Sequence, residues 1–204
     1  MKILNLVGLY ESNVYVLEKG NECIIIDAGV SVSEVKKLIK DKKVLGIFLT
    51  HGHFDHSFFA GEYAHEFGCK IYAHHNAKLT MENRDAFCSN NGQIITDFSN
   101  FEFFNGDTRF VLGDFEIDAF YLPGHCNCEC GYLIEGNFFA GDFLFEKSFG
   151  RIDLMFSSKK DMIASLIKSQ DIPYNILYSG HGEKSTKKEQ LSHLPIFLKF
   201  LTRN

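Results

Sequence analysis

Three histidines and one aspartate fall within six residues near position 50, and this density constrains the fold more than any other feature of the chain. They lie in the segment Thr50-His51-Gly52-His53-Phe54-Asp55-His56. His51 and His53, two residues apart on an extended turn, can point into one metal site, whereas Asp55 and His56 leave the next turn toward a second. Imidazole and carboxylate together favour zinc, iron or manganese over calcium and magnesium, which prefer oxygen donors. The segment therefore predicts half of a two-metal site.

Three later donors each follow an apolar, β-like run and have a glycine nearby. They are His125 after residues 120–124, Asp142 after residues 138–141, and His181 after residues 176–180. Glycine lets backbone and ligand approach closely, and loops after strands commonly carry function. We therefore expect the ends of strands to carry the site.

The order of the donors, His-x-His-x-Asp-His and then His, Asp and His, resembles that of the metallo-β-lactamase-fold hydrolases, over almost the whole chain. Residues 13–17 and 24–29 look like the opening strands of this family. Pro123-Gly124-His125, Gly141-Asp142 and Gly180-His181-Gly182 look like its later motifs. The resemblance implies an α+β fold, an αββα sandwich of two mixed sheets with outer helices. The length fits a single domain over residues 1–204.

The same resemblance implies a role for each donor. The implied ligands are three for each ion and one shared bridge: His51, His53 and His125 for the first metal, Asp55, His56 and His181 for the second, and Asp142 between them. Asp55 and Asp142 are also expected to act in catalysis. The implied cofactors are two divalent metal ions, zinc in the first place, with iron or manganese as alternatives. A hydroxide bridging them would attack the substrate.

Residues 141–145 and 149–153 are similar to the signature of the glyoxalase II-like branch, the hydroxyacylglutathione hydrolases. This similarity implies hydrolysis of thioesters such as S-lactoylglutathione. It also makes Arg151 a candidate for binding a carboxylate of the substrate. The alternative for Arg151 is a structural salt bridge with Asp153 or another acid.

Three other functions stay open. The chain could hydrolyse another ester, a lactone or a phosphodiester, or it could be a persulfide dioxygenase with one iron held by two histidines and an aspartate. A non-enzymatic protein could bind metal or sense oxidation through Cys126, Cys128 and Cys130. The complete second ligand set favours the binuclear hydrolase, and Cys-x-Cys-x-Cys lacks the Cys-x-x-Cys spacing of a zinc knuckle.

Charge and hydropathy indicate which kinds of binding partner to expect. The net charge of −5 gives no basic footprint, so we expect a small-molecule substrate and no nucleic acid. No run approaches the ~20 apolar residues of a membrane span, and the amino terminus lacks the pattern of a secretory signal. We therefore expect a cytoplasmic protein without a membrane partner, and the oligomeric state is not predicted.

Periodicity and turn residues predict the main elements. Alternating runs flank Gly113-Asp114 and Glu135-Gly136, which predicts two hairpins. Helical spacing covers residues 33–40, 162–168 and 187–201, with Pro195 restarting the last helix. Residues 78–89 are expected to form a helix or a loop. Asp27, which precedes Ala28-Gly29, is expected to fix a turn by accepting hydrogen bonds from backbone amides.

Overall fold

The first of two sheets contains the histidine-rich loop. A computed structural model describes residues 1–83 and 95–203 of the protein. The first sheet has six strands in sequence order: β1 (Lys2–Val7), β2 (Asn13–Lys19), β3 (Glu22–Ile26), β4 (Lys43–Phe48), β5 (Lys70–His74) and β6 (Phe101–Phe104). The first three strands pair antiparallel and the last four pair parallel. The first sheet is therefore mixed.

The second sheet has the spatial order β12-β11-β10-β9-β8-β7. Its strands are β7 (Thr108–Leu112), β8 (Phe115–Tyr121), β9 (Cys130–Ile134), β10 (Asn137–Gly141), β11 (Ile176–Ser179) and β12 (Ser185–Thr186). Only β10 and β11 pair parallel. The parallel pair brings the ends of two predicted ligand strands to the same edge of this sheet.

Helices cover the outer face of each sheet. The described helices are α1 (Val32–Ile39), α2 (Phe54–Ser57), α3 (Ala60–Phe67), α4 (Ala77–Glu82), α5 (Lys159–Ser169) and α6 (Lys187–Thr202). One apolar cluster fills the space between the sheets, with Leu17, Ile24 and Phe48 facing Phe115 and Tyr132. Two further clusters join α1 and α3 to the first sheet, and α5 and α6 to the second. The predicted αββα sandwich is confirmed.

The two predicted hairpins are present between β7 and β8 and between β9 and β10. Glu135 and Gly136 form a two-residue loop in which both φ angles are positive, 49° and 74°, as in a type I′ turn. The helix predicted at 187–201 is continuous through Pro195, so the restart expected there does not occur. Of the segment 78–89, α4 covers the beginning, and residues 84–89 lie outside the described residues. Among the described helices, none combines the length and the apolar composition needed to cross a membrane.

Candidate metal centre

The predicted ligands lie in segments that follow strands, and His125, Asp142 and His181 lie just beyond strand ends, as expected from the sequence. The loop after β4 carries His51 and His53 and continues into α2, which carries Asp55 and His56. The second sheet supplies the other three ligands from the loops that follow β8, β10 and β11: His125, Asp142 and His181. The two sheets therefore bring their ligands together at one edge of the sandwich.

The first group contains only imidazoles. Ligand atoms of His51, His53 and His125 all lie within 4.8 Å of one another, and all three residues are buried. His125 Nε2 is 3.0 Å from His53 Nδ1. Four ligands at metal–nitrogen bonds of about 2.0–2.1 Å stand about 3.3 Å apart at the corners of a tetrahedron. The spacing of the imidazoles thus fits a common metal ion.

The second group combines imidazole and carboxylate. His56 Nε2 lies 3.3 Å from His181 Nε2, and Asp55 Oδ2 lies 3.5 Å from His56 Nε2 and 3.1 Å from His181 Nε2. Their ligand atoms all fall within 4.8 Å of one another. This group of three donors could also hold a metal ion.

Asp142 lies between the two groups. Its Oδ2 is 3.5 Å from His125 Nε2, whereas its Oδ1 is 3.3 Å from His56 Nε2 and 3.5 Å from His181 Nε2. Each carboxylate oxygen therefore faces a different group. The arrangement suits a carboxylate shared by two metal ions, which stays a prediction.

Several buried atoms of this cluster have no hydrogen-bond partner among the described residues. They are His51 Nε2, His53 Nε2 and Asp142 Oδ1. A buried polar atom without a partner costs roughly 1–3 kcal/mol. Because His51 Nε2 and Asp142 Oδ1 face the interior of the cluster, a pair of metal ions would satisfy them, and the donor set fits such ions.

Two imidazoles of the first group, those of His51 and His125, have lowered pKa values. Burial lowers the pKa of His51 well below its ordinary value, and the neighbouring rings of His56 and His53 lower it further. Burial is also the main reason that the pKa of His125 is lowered. Only the neutral imidazole has a free lone pair for a metal. His51 and His125 therefore favour the neutral form that a metal needs.

In and beside the second group, carboxylates and imidazoles shift each other's pKa values. Burial opposes ionisation of Asp142, but His56 and His181 outweigh it and hold the pKa of Asp142 well below its usual range. Although burial also acts against it, the carboxylates Asp142 and Asp55 raise the pKa of His181 to about 9. A divalent ion bound here would displace such imidazole protons. We expect its binding to release protons.

Two acidic residues outside the ligand set orient it. Asp27 accepts hydrogen bonds from Thr50 N–H at 2.8 Å and from His56 Nδ1 at 2.8 Å. Asp27 does accept from a backbone amide, but that amide is 23 residues away, so the carboxylate ties the loop after β4 to the end of β3 instead of fixing the local turn that was predicted. Glu129, which the sequence analysis did not select, is fully buried beside His51 and Asp142. In the sequence, Glu129 could have been noticed as an acidic residue that directly precedes the apolar strand β9.

Glycines allow the close approach of the ligand strands. A Cβ atom added at Gly180 would lie 2.2 Å from Asp142 Oδ1, far inside contact distance. Gly180 N–H also donates to the Gly141 carbonyl at 2.7 Å. The side-chain-free backbone before His181 is therefore what admits the Asp142 carboxylate.

The ligand cluster opens into a cavity of about 380 Å³. Tyr10, Phe54 and Leu154 give this cavity an apolar wall, and Arg151 contributes a cationic side chain. Arg151 forms a bidentate ion pair with Asp153, with distances of 2.9 and 3.0 Å, and both side chains are 68% exposed. Its carbonyl lies 3.0 Å from His125 Nδ1. The alternative salt bridge is thus present, in a residue that also lines the cavity.

The three cysteines after His125 divide between two parts of the core. The sulfurs of Cys126 and Cys128 are 3.0 Å apart in the cluster under the first sheet, and Gly52 N–H donates to Cys128 Sγ. Cys130 belongs to the cluster between the sheets. Among the described residues, the groups that could hold a metal do not include these thiols.

Comparisons with known proteins agree with this geometry. A model of the Metallo-beta-lactamase superfamily matches residues 7–181. The probable metallo-hydrolase YqgX of Bacillus subtilis (strain 168) is 28% identical over 189 residues, covering 88% of this chain and 89% of YqgX. Hydroxyacylglutathione hydrolase GloC of Haemophilus influenzae is 28% identical over 184 residues, covering 86% of this chain and 83% of GloC. The crystal structure of the B3 metallo-beta-lactamase BLEG-1 has a TM-score of 0.86 at 27% identity, covering 99% of this chain and 100% of that chain.

Proposed function

The chain belongs to the metallo-beta-lactamase superfamily, and we propose that within it the protein is a binuclear hydrolase of thioesters such as S-lactoylglutathione. The superfamily consists mostly of metal-dependent hydrolases, and the His/Asp cluster is of the kind that such enzymes need. The observation that carries the proposal is the position of Asp142, whose two oxygens face different ligand groups. A single-metal site does not need this arrangement.

The proposed ligands are those expected from the sequence: His51, His53 and His125 for one ion, Asp55, His56 and His181 for the other, and Asp142 for both. When bound, two such ions supply an activated water and stabilise negative charge on the substrate oxygen. Asp142 holds the two groups at a fixed separation, and its charge together with that of Asp55 offsets the added cations. The side chains of this loop cluster exclude bulk water on the buried side.

The thioester assignment rests on two supports. GloC, a relative of similar length, is a hydroxyacylglutathione hydrolase. Arg151 lines the cavity beside the apolar wall, where it can receive a carboxylate of a glutathione-like group while Tyr10 and Phe54 contact apolar parts. The finer assignment also includes zinc as the metal and a cytoplasmic location, both of which stay predictions.

A persulfide dioxygenase is the alternative from another enzyme class. It would need only one iron, held by two histidines and an aspartate. The complete group of Asp55, His56 and His181 favours two metals instead, because these donors converge on a position separate from the first group. Hydrolysis of another ester, a lactone or a phosphodiester would use the same site.

Metal content measured together with turnover separates these functions. We expect purified protein to hold close to two transition-metal ions, to cleave S-lactoylglutathione and to consume no oxygen with a persulfide substrate. One iron with oxygen consumption would replace the proposal by the dioxygenase. Two metals with cleavage only of a lactone or a phosphodiester would keep the binuclear site and remove the thioester assignment.

The specificity arm of the same experiment uses two arginine variants. Arg151→Ala should raise KM for S-lactoylglutathione and leave turnover of a small uncharged thioester nearly unchanged, because only binding of the remote group is lost. Arg109→Ala is the matched control, since Arg109 also forms a bidentate ion pair, with Asp118, but outside the cavity. An equal loss with both substrates would identify Arg151 as a structural ion-pair partner.

A further inference from the structure

Glu129 is a buried carboxylic acid that contacts two of the predicted metal ligands, His51 and Asp142. Glu129 lies just before β9, in the second sheet, and is 0% exposed. Its neighbours His51 and Asp142 follow strands of different sheets, β4 and β10. Acidic side chains are rarely this buried unless they are paired. Its full burial therefore indicates that specific contacts hold Glu129 in place.

The two oxygens of Glu129 have separate contacts. Asp142 N–H donates to Oε1 at 3.2 Å, which fixes the backbone that carries the bridging carboxylate. Oε2 lies 3.6 Å from His51 Nδ1 and has no hydrogen-bond partner among the described residues. This separation exceeds the roughly 2.7–3.2 Å of an N–H···O hydrogen bond, so the imidazole and the carboxylate face each other at ion-pair distance.

The backbone around Glu129 is shaped to admit its carboxyl. Gly141, directly before Asp142, has a φ of 54°, and a Cβ atom added there would lie 2.4 Å from Glu129 Oε1. Any larger residue at 141 would push this carboxyl away from Asp142. The end of β10 thus leaves open the space that Glu129 fills.

The orientation of the His51 ring places one nitrogen toward Glu129 and leaves the other for a metal. His51 Nδ1 faces Thr50 and Glu129, whereas Nε2 is buried without a hydrogen-bond partner among the described residues, which makes Nε2 the nitrogen for a metal and Nδ1 the site for the ring proton. Nδ1 lies 3.1 Å from Thr50 Oγ1 and faces Glu129 Oε2. An acceptor behind a histidine ligand holds the ring in place and increases its basicity.

We propose that Glu129 is a positioning residue for the metal centre, which orients His51 through its Nδ1–H and Asp142 through its backbone N–H. The inference rests on the proposed metal-dependent function. It predicts that both oxygens of Glu129 are needed, because Oε1 accepts from Asp142 N–H and Oε2 faces His51 Nδ1. A glutamine would keep the shape and turn one acceptor into a donor that opposes His51 Nδ1–H.

Three variants test this role. Glu129→Gln keeps the shape, and Glu129→Asp keeps the carboxylate on a shorter stem. Glu18→Gln is the matched control. Glu18, on β2, is also buried, at 8% exposed, but it pairs with Lys2 and Lys42 instead of a predicted metal ligand. Competition with a chromophoric chelator measures the affinity for Zn²⁺, the absorption spectrum of Co²⁺-loaded protein reports the ligand field, and the melting temperature of metal-free protein reports the fold.

Glu129→Gln should weaken the tighter-bound metal by about 10- to 100-fold and change the Co²⁺ spectrum, which is the usual effect of losing an outer-shell partner. Glu129→Asp should recover part of the affinity, and Glu18→Gln should bind as wild type. Wild-type affinity and spectrum in Glu129→Gln would overturn the inference. So would a fall in the melting temperature of both Glu129 variants with unchanged metal affinity, since that result describes a structural residue. Failure of the wild type itself to bind metal would instead remove the proposed function.

Discussion

Asp27 shows how one residue acts on the site through its neighbours. Its backbone is left-handed, with a φ of 64°, and its carboxylate contacts both the Thr50 amide and His56 Nδ1. The sequence predicted bonds to backbone amides from the Asp that precedes Ala28-Gly29. It could not predict the ring contact, because His56 is 29 positions away and meets Asp27 only when β3 and β4 pair.

Asp27→Asn should weaken binding of the second metal by about 10- to 100-fold, because the partner that orients His56 loses its charge. Asparagine tolerates the left-handed backbone, so the fold should persist. Titration of metal-free protein with Zn²⁺ measures the change, with Asp41→Asn on the exposed turn after α1 as the control. Equal affinities in the two variants would show that the contact with His56 has no part in metal binding.

At the scale of elements, local patterns predicted the strands that flank a tight turn better than strands without such a turn. β7 to β10 follow from alternation and turn residues, and α3 ends at Gly68, whose φ of 63° terminates the helix. No strand was predicted over β1 or β12, because β1 alternates only loosely in burial at a sheet edge and β12 has two residues. Their pairing partners, rather than their own residues, make them strands.

The last helix differs from its prediction for a related reason. α6 remains continuous through Pro195 although proline removes a backbone donor. Gln190, Leu194, Phe197 and Leu201 form one buried face across the proline, and the capping box of Thr186 and Glu189 fixes the start. Packing along the whole helix outweighs the local break, and packing of this kind cannot be read from Pro195 itself.

Gln190 joins this helix to the segment that follows Asp142. Its buried amide donates to the carbonyls of Phe145 and Glu146, at 2.8 and 3.2 Å, and to Ser185 Oγ at 2.8 Å. Gln190→Ala should lower the free energy of unfolding by about 1–3 kcal/mol, since two partly buried carbonyls and the Ser185 hydroxyl lose their donor. Gln170→Ala, at the exposed end of α5, should change it by less than about 0.5 kcal/mol. Chemical denaturation of both variants makes the comparison, and equal losses would contradict the proposed anchoring.

The whole molecule is organised around ligands from two sheets. The seven residues that the sequence predicted as donors, from an order that resembles a known family, lie together in the structure. The sequence did not predict Glu129, which carries no motif and acquires its place only when β9 and β10 pair beside the loop after β4. Metal ions held at this junction would therefore connect the first sheet to the second.

Removal of metal should consequently destabilise the whole protein rather than the site alone. A ligand that binds only the folded state at about 100 times its Kd adds about 2.7 kcal/mol, which corresponds to roughly 5–11 °C in melting temperature for a chain of this size. Thermal melts in excess Zn²⁺ and after dialysis against a chelator measure the shift. Asp142→Asn should show a smaller shift, because the shared ligand loses its charge, whereas Asp41→Asn should match the wild type. Identical melts with and without metal in the wild type would show that the two sheets do not depend on a metal for their association.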